Sequence, residues 1–180
     1  MTEYDEDFIT TYTGIKFHYL EPKVEEVDIW DITHALSLKC RFGGHCRDFY
    51  LVAEHSIHVA HLLPPELKLC GLLHDATEAY MPDVPRPIKL RFGLKEYEDT
   101  IFKVIAKKFG IWIGPEVKEA DDILLATESR DLLANTDGWA GLPEPLRMKI
   151  NPIPSSFAES RFLVEYTTYT GGGSLPLKRS

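Results

Sequence analysis

A His-Asp doublet, His74-Asp75, sits inside the apolar run Leu69-Cys-Gly-Leu-Leu-His-Asp-Ala-Thr-Glu-Ala-Tyr80. Burying such a pair is costly unless something compensates it. A metal ion is the usual compensation where further His and Asp residues are at hand. His55 lies upstream in Ala-Glu-His-Ser, and Asp121 lies downstream in Lys-Glu-Ala-Asp-Asp. This order predicts a mixed nitrogen and oxygen metal site made by His55, His74, Asp75 and Asp121. Such a site polarises phosphates and activates water. Imidazole with carboxylate suits Mn, Fe, Co, Ni or Zn better than Ca, with Mg a further option. Asp122 is the rival of Asp121. Adjacent helical residues point about 100° apart, so one of the two serves.

Glu78 follows His74 by four residues and Asp75 by three. On a helix these positions share a face, so Glu78 reaches the space beside a metal held by the pair. A lone His-Asp doublet is equally well read as a buried His held by a neighbouring carboxylate. The pattern with Glu78 is more specific. Among the other histidines, His58 reads as surface or structural and His18 as a surface strand residue. His34 and His45 flank the segment around Arg41, and His45 is a candidate phosphate contact. Trp30 reads as a core or interface residue.

The elements that must position these residues are mostly helical. Helical spacing of apolar residues recurs over about 28–38, 47–62, 95–109 and 115–134. A further helix starts at Pro64-Pro65, since proline suits a first turn, and runs to about Tyr80, where Pro82, Pro85 and Pro87 stop it. A last helix covers about 155–168, and 135–155, rich in Gly and Pro, reads as loop. Residues 10–20 are β-branched and aromatic around Gly14 and predict a short hairpin at the domain edge. The expected class is all-α with minor strands. One domain spans 1–168, and 169–180 forms a flexible tail.

Composition narrows the function classes. The 180 residues are 44% hydrophobic and 27% charged, as in an ordinary globular domain with a real core. No apolar stretch approaches a membrane span. The acidic start Met-Thr-Glu-Tyr-Asp-Glu-Asp is unlike a signal peptide, so the cytoplasm is the expected compartment. A net charge of −8 argues against a broad nucleic-acid surface, though not against a small anionic substrate. Arg41, Arg47, Arg86, Lys89 and Arg91 lie close in sequence to the site and can offset that field. Cys40, Cys46 and Cys70 form no CxxC pair and are read as reduced, with Cys70 in the core.

Together these residues resemble the HD-domain phosphohydrolase superfamily, and more narrowly a bacterial and phage nucleotide-hydrolase branch. The match runs from about Phe17 to Phe162. Its pieces are Val27-Asp-Ile-Trp-Asp-Ile-Thr-His-Ala-Leu-Ser, Cys40-Arg-Phe-Gly-Gly-His-Cys-Arg-Asp-Phe-Tyr and Val52-Ala-Glu-His-Ser, then Leu72-Leu-His-Asp-Ala-Thr-Glu-Ala-Tyr, Asp83-Val-Pro-Arg-Pro-Ile-Lys and Lys118-Glu-Ala-Asp. The branch is similar to the 5′-deoxynucleotidases and to phage dATP triphosphohydrolases. Both are compact helical bundles that cleave at the α-phosphorus. The resemblance implies that His55, His74, Asp75 and Asp121 are metal ligands and that Glu78 is the catalytic glutamate. It implies substrate contacts from Arg41 and from Phe42, which stands where those families often place a tryptophan. Asp83 matches a position near the substrate sugar and is equally read as bracing a turn. Lys89 joins Arg41 as a phosphate-neutralising residue in this reading. A deoxynucleotide substrate, a host-cell cytoplasm if phage-encoded, and a dimeric or hexameric assembly follow as expectations. The competing classes are a nucleotide-binding module without turnover and a purely structural metal site.

Overall fold

The computed structural model describes residues 7–82, 84–137, 141–172 and 175. Among them the chain is mostly helical, with seven α-helices and one two-stranded antiparallel sheet. Strands β1 (Phe8–Thr10) and β2 (Lys16–His18) make the expected hairpin, with Ile9 opposite Phe17. The hairpin is tied to the helices through Asp31, whose carboxylate accepts from the Thr13 N–H at 2.7 Å and hydroxyl at 2.9 Å. Phe17 is fully buried and stacks on Tyr80, with ring centroids 3.9 Å apart.

Helix α1 (Ile29–Leu36) starts where Asp28 caps the Trp30 N–H at 2.8 Å. Helix α2 (Val52–His61) is the centre of the bundle. Every residue from Val52 to Ile57 is buried, which accounts for its packing on α3 (Lys68–Leu72), α6 (Pro115–Leu132) and α7 (Ser155–Tyr169). It starts at Val52 rather than 47, because Arg41–Gly44 forms a 3-10 turn and Cys40 bridges to Leu51. Gly71 lets α3 approach α2. A β-carbon there would lie 3.0 Å from the Ala60 Cα.

The helix expected from Pro65 to Tyr80 is broken. A 3-10 turn (Pro65–Leu67) leads into α3, which ends at Leu72, and a second 3-10 turn covers Ala76–Ala79. Leu73 (φ −108°, ψ 9°) and Asp75 (φ −97°, ψ 16°) lie in the bridge region between α and extended backbone. The short helix α4 (Arg86–Arg91), absent from the sequence reading, takes Pro87 into its first turn, where proline is tolerated, and α5 (Leu94–Phe109) ends at left-handed Gly110. Among the described residues the segment between α6 and α7 is irregular, as expected, yet fastened. Arg130 donates to the Leu146 and Met148 carbonyls at 2.6 and 2.7 Å, and Asp131 accepts from Ile150 N–H at 2.9 Å. No helix among the described residues is long and apolar enough to cross a membrane.

Candidate metal centre

Three segments bring His55, His74 and Asp75 together, with Asp121 against the two histidines. His55 comes from the middle of α2, His74 and Asp75 from the break after α3, and Asp121 from the second turn of α6. The Nε2 atoms of His55 and His74 are 3.2 Å apart. Asp75 Oδ2 lies 3.6 Å from His55 Nε2 and 3.3 Å from His74 Nε2. Asp121 Oδ1 lies 3.3 and 4.0 Å from the same two nitrogens. Donors held about 2.1 Å from one ion and subtending 90–110° are about 3.0–3.4 Å apart. Most of these separations fall in or near that range. His55, His74 and Asp75 form a group that could hold a metal ion.

The other face of each imidazole decides the chemistry. His74 Nδ1 is 2.7 Å from the Gly71 carbonyl, which can only accept, so it carries its proton. His55 Nδ1 is 2.6 Å from Glu128 Oε1 and donates to that carboxylate. With those outer protons in place, each ring in its neutral form turns an Nε2 lone pair toward the other, with two carboxylate oxygens alongside. That arrangement is repulsive until a cation or a proton enters it. The residues present therefore fit a divalent metal, each His having the outer hydrogen bond that metal-bound imidazoles favour.

Electrostatics tell the same story. Burial and Arg41 push the His55 pKa down, but Glu128 and Asp121 outweigh them and raise it to about 9. Burial alone would raise the Asp121 carboxyl; hydrogen bonding from His55 and the nearby charges hold it well below the usual range. Glu128 is likewise held down against burial by Arg41 and His55. The three shifts share one origin, carboxylates and cationic groups held close together in a buried place.

Arg41 borders the cluster. Its Nη2 is 3.1 Å from Glu128 Oε2 and its Nη1 is 3.4 Å from Asp75 Oδ2. Phe42 holds a positive φ of 54°, rare for a bulky residue, and its ring lies 5.3 Å from the Arg41 guanidinium carbon. Glu78 is buried in the 3-10 turn, where its N–H donates to the Asp75 carbonyl at 3.0 Å. It sits in this turn rather than along a helix face, and its carboxylate is near enough to Arg41 to help raise that guanidinium's pKa. Asp122 turns away to Lys118, so of the two aspartates Asp121 faces the histidines.

Not every sequence candidate joins the cluster. The Lys89 ammonium is engaged by Glu98, 2.6 Å away, tying α4 to α5. Asp83 lies outside the described residues. His45 is exposed, and His58 makes a 3.8 Å pair with Glu54. His18 sits in β2 with Glu26 at 2.8 Å, and half-buried Trp30 packs against the core. The cysteines are free thiols, with Cys70 buried. Two supporting residues escaped the sequence reading. Lys39 donates to the Glu78 and Met81 carbonyls and so fixes the turn. Glu128 had a visible signal: a carboxylate directly after the mostly apolar stretch Ile123-Leu-Leu-Ala-Thr, seven residues, or two turns, beyond Asp121.

Fold and site define a mostly helical protein with a His/Asp cluster suited to a metal ion. No family model matches the chain. It is similar to the uncharacterized protein YfdR of Escherichia coli strain K12, 38% identical over 166 residues that cover 88% of this chain and 93% of the relative. The chain belongs to the YfdR family. An uncharacterized protein of Rhodobacter capsulatus is 28% identical over 168 residues, covering 79% of this chain and 86% of that protein.

Proposed function

We propose that this protein is a metal-dependent phosphohydrolase of the HD-domain type that cleaves deoxynucleotides at the α-phosphorus, releasing deoxynucleoside and, from dATP or another dNTP, triphosphate. The observation that carries the reading is the convergence of His55 Nε2, His74 Nε2, Asp75 Oδ2 and Asp121 Oδ1, with Arg41 beside it. The sequence resemblance supplies the substrate class.

His55, His74, Asp75 and Asp121 would hold the ion. A bound divalent ion supplies Lewis acidity toward the phosphoryl group and lowers the pKa of water. The chain does the rest. Glu78 accepts the proton of the attacking water. Arg41 offers guanidinium N–H groups to the phosphate oxygens as negative charge develops on them. Water adds to phosphorus, the bond to the 5′ oxygen breaks, and that oxygen leaves as the nucleoside hydroxyl with the proton that Glu78 took from the water. A site built only for binding has no use for Glu78, which weighs against a module without turnover. A closed structural site usually takes four Cys or His ligands, unlike this carboxylate-rich set.

One observation favours a 5′-deoxynucleotidase acting on monophosphates. Lys89, the second cation expected along a polyphosphate chain, is committed to Glu98. A product assay separates the readings. The purified protein is incubated with each dNTP and dNMP and with Mn, Co, Zn or Mg, and the products are resolved by chromatography. Deoxynucleoside plus intact triphosphate supports the triphosphohydrolase. Turnover confined to monophosphates supports the nucleotidase. Glu78→Ala should lose turnover and keep nucleotide binding; nucleotide binding without turnover by the unaltered protein, with every metal, refutes the enzyme.

A further inference from the structure

We propose that Glu128 is the positioning residue of this centre, holding His55 in its metal-ligating tautomer and fixing Arg41 beside it, so that metal and anion binding depend on one side chain. The inference rests on the metal-centre reading above. Glu128 is fully buried on α6, two turns beyond Asp121, so a ligand and its support share one rigid helix. One carboxylate oxygen lies 2.6 Å from His55 Nδ1 and the other 3.1 Å from Arg41 Nη2.

His55 Nδ1 approaches as a hydrogen-bond donor and Arg41 as a cation in an ion pair. Only an acceptor with two oxygens satisfies them together. An amide of the same shape cannot. If its oxygen faces His55, its NH2 meets the Arg41 guanidinium, donor against donor. If its oxygen faces Arg41, its NH2 meets His55 Nδ1 and favours the tautomer with the proton on Nε2. That proton would point at His74 Nε2, 3.2 Å away, where the ion belongs. Glu128→Gln is thus close to isosteric yet frustrated at one contact or the other. A purely structural ion pair would give a change in stability alone. A positioning role gives a change in metal affinity, in anion affinity and in the His55 tautomer.

The test compares the unaltered protein with Glu128→Gln, both checked for fold by circular dichroism. Mn2+ affinity is measured by calorimetry, then inorganic phosphate affinity at saturating Mn2+. Glu128→Gln should bind Mn2+ about 10–100-fold more weakly, the usual loss on removing an outer partner of a metal-bound His. Its phosphate affinity should fall as well. Mn2+ affinity equal to that of the unaltered protein overturns the role of Glu128 and leaves the metal centre standing. An unaltered protein that takes up no Mn2+ overturns the metal centre itself. Should the variant fail to fold, nitrogen NMR of the Zn2+-loaded unaltered protein decides the matter. A proton on His55 Nδ1 is expected, and one on Nε2 overturns the proposal.

Discussion

Divalent metal should stabilise this fold, and Asp121 should be the residue through which that stabilisation is lost. Without a cation, His55 and His74 aim Nε2 atoms at each other across 3.2 Å, with Asp75 and Asp121 oxygens 3.3–4.0 Å from those nitrogens. A ligand that binds only the folded state stabilises it by about 2.7 kcal/mol at a hundredfold excess over its Kd. The entropy of unfolding for 180 residues, at about 2.1 cal/mol/K each, is near 0.38 kcal/mol/K. The melting temperature should therefore rise by about 7 °C. Differential scanning fluorimetry reads this directly, with EDTA against Mn2+, Co2+ or Zn2+. Asp121→Asn should abolish most of the rise. Asp122→Asn should leave it intact, because that carboxylate faces Lys118. The geometric reasoning fails if no metal shifts the unaltered protein, or if Asp121→Asn shifts as far as Asp122→Asn does.

Two further outcomes follow from the scaffold. Gly71→Ala should destabilise by about 1–3 kcal/mol, read in urea denaturation, because the new β-carbon would press on Leu63 and lie 3.0 Å from the Ala60 Cα; a neutral effect would mean that α2 and α3 are free to separate. Asp131, paired with Arg130 and accepting from Ile150 N–H, has a pKa below its unfolded value, so its contribution is present above that unfolded value, near pH 4, and fades as pH falls through the folded one. Asp131→Asn should lower stability at pH 7 and converge with the unaltered protein in strong acid; a constant gap across pH 2–7 would contradict the assignment.

Much of this arrangement was legible in the chain because periodicity reports directly on local structure. The hairpin around Gly14, the helices near 28–38, 95–109 and 115–134, and the Gly110 stop each follow from spacing or from one special residue. The four His and Asp candidates for the ion were legible because polar groups in apolar runs need a partner. What escaped depends on tertiary context. Residues 65–80 carry a helical pattern, yet helix ends at Leu72 because packing selects the conformations at Leu73 and Asp75. The choice between Asp121 and Asp122 is a matter of helix rotation, which packing against the rest of the fold sets. Lys89 was assigned by its charge, but Glu98 sits nine residues later on the facing helix and takes it. Glu128 was missed because its place shows only once the fold sets His55 and Arg41 against its two oxygens.

The helix break is also what makes the site. On a regular helix His74 and Asp75 would diverge by about 100°. The break turns them together until His74 Nε2 and Asp75 Oδ2 are 3.3 Å apart. It would be a liability if the backbone groups it frees went unpaired in a buried place. Several are paired within the turn: Ala76 N–H donates to the Leu73 carbonyl at 3.1 Å, Glu78 N–H to that of Asp75 at 3.0 Å and Tyr80 N–H to that of Thr77 at 3.0 Å. Lys39 then takes the Glu78 and Met81 carbonyls from outside. The Gly71 carbonyl, at the point where α3 approaches α2, orients His74. The turn that carries a His, an Asp and a Glu is thus held at both ends by groups outside it. A rigid bonded turn sets its side chains before any ligand arrives, which is what binding a small cation at defined distances requires.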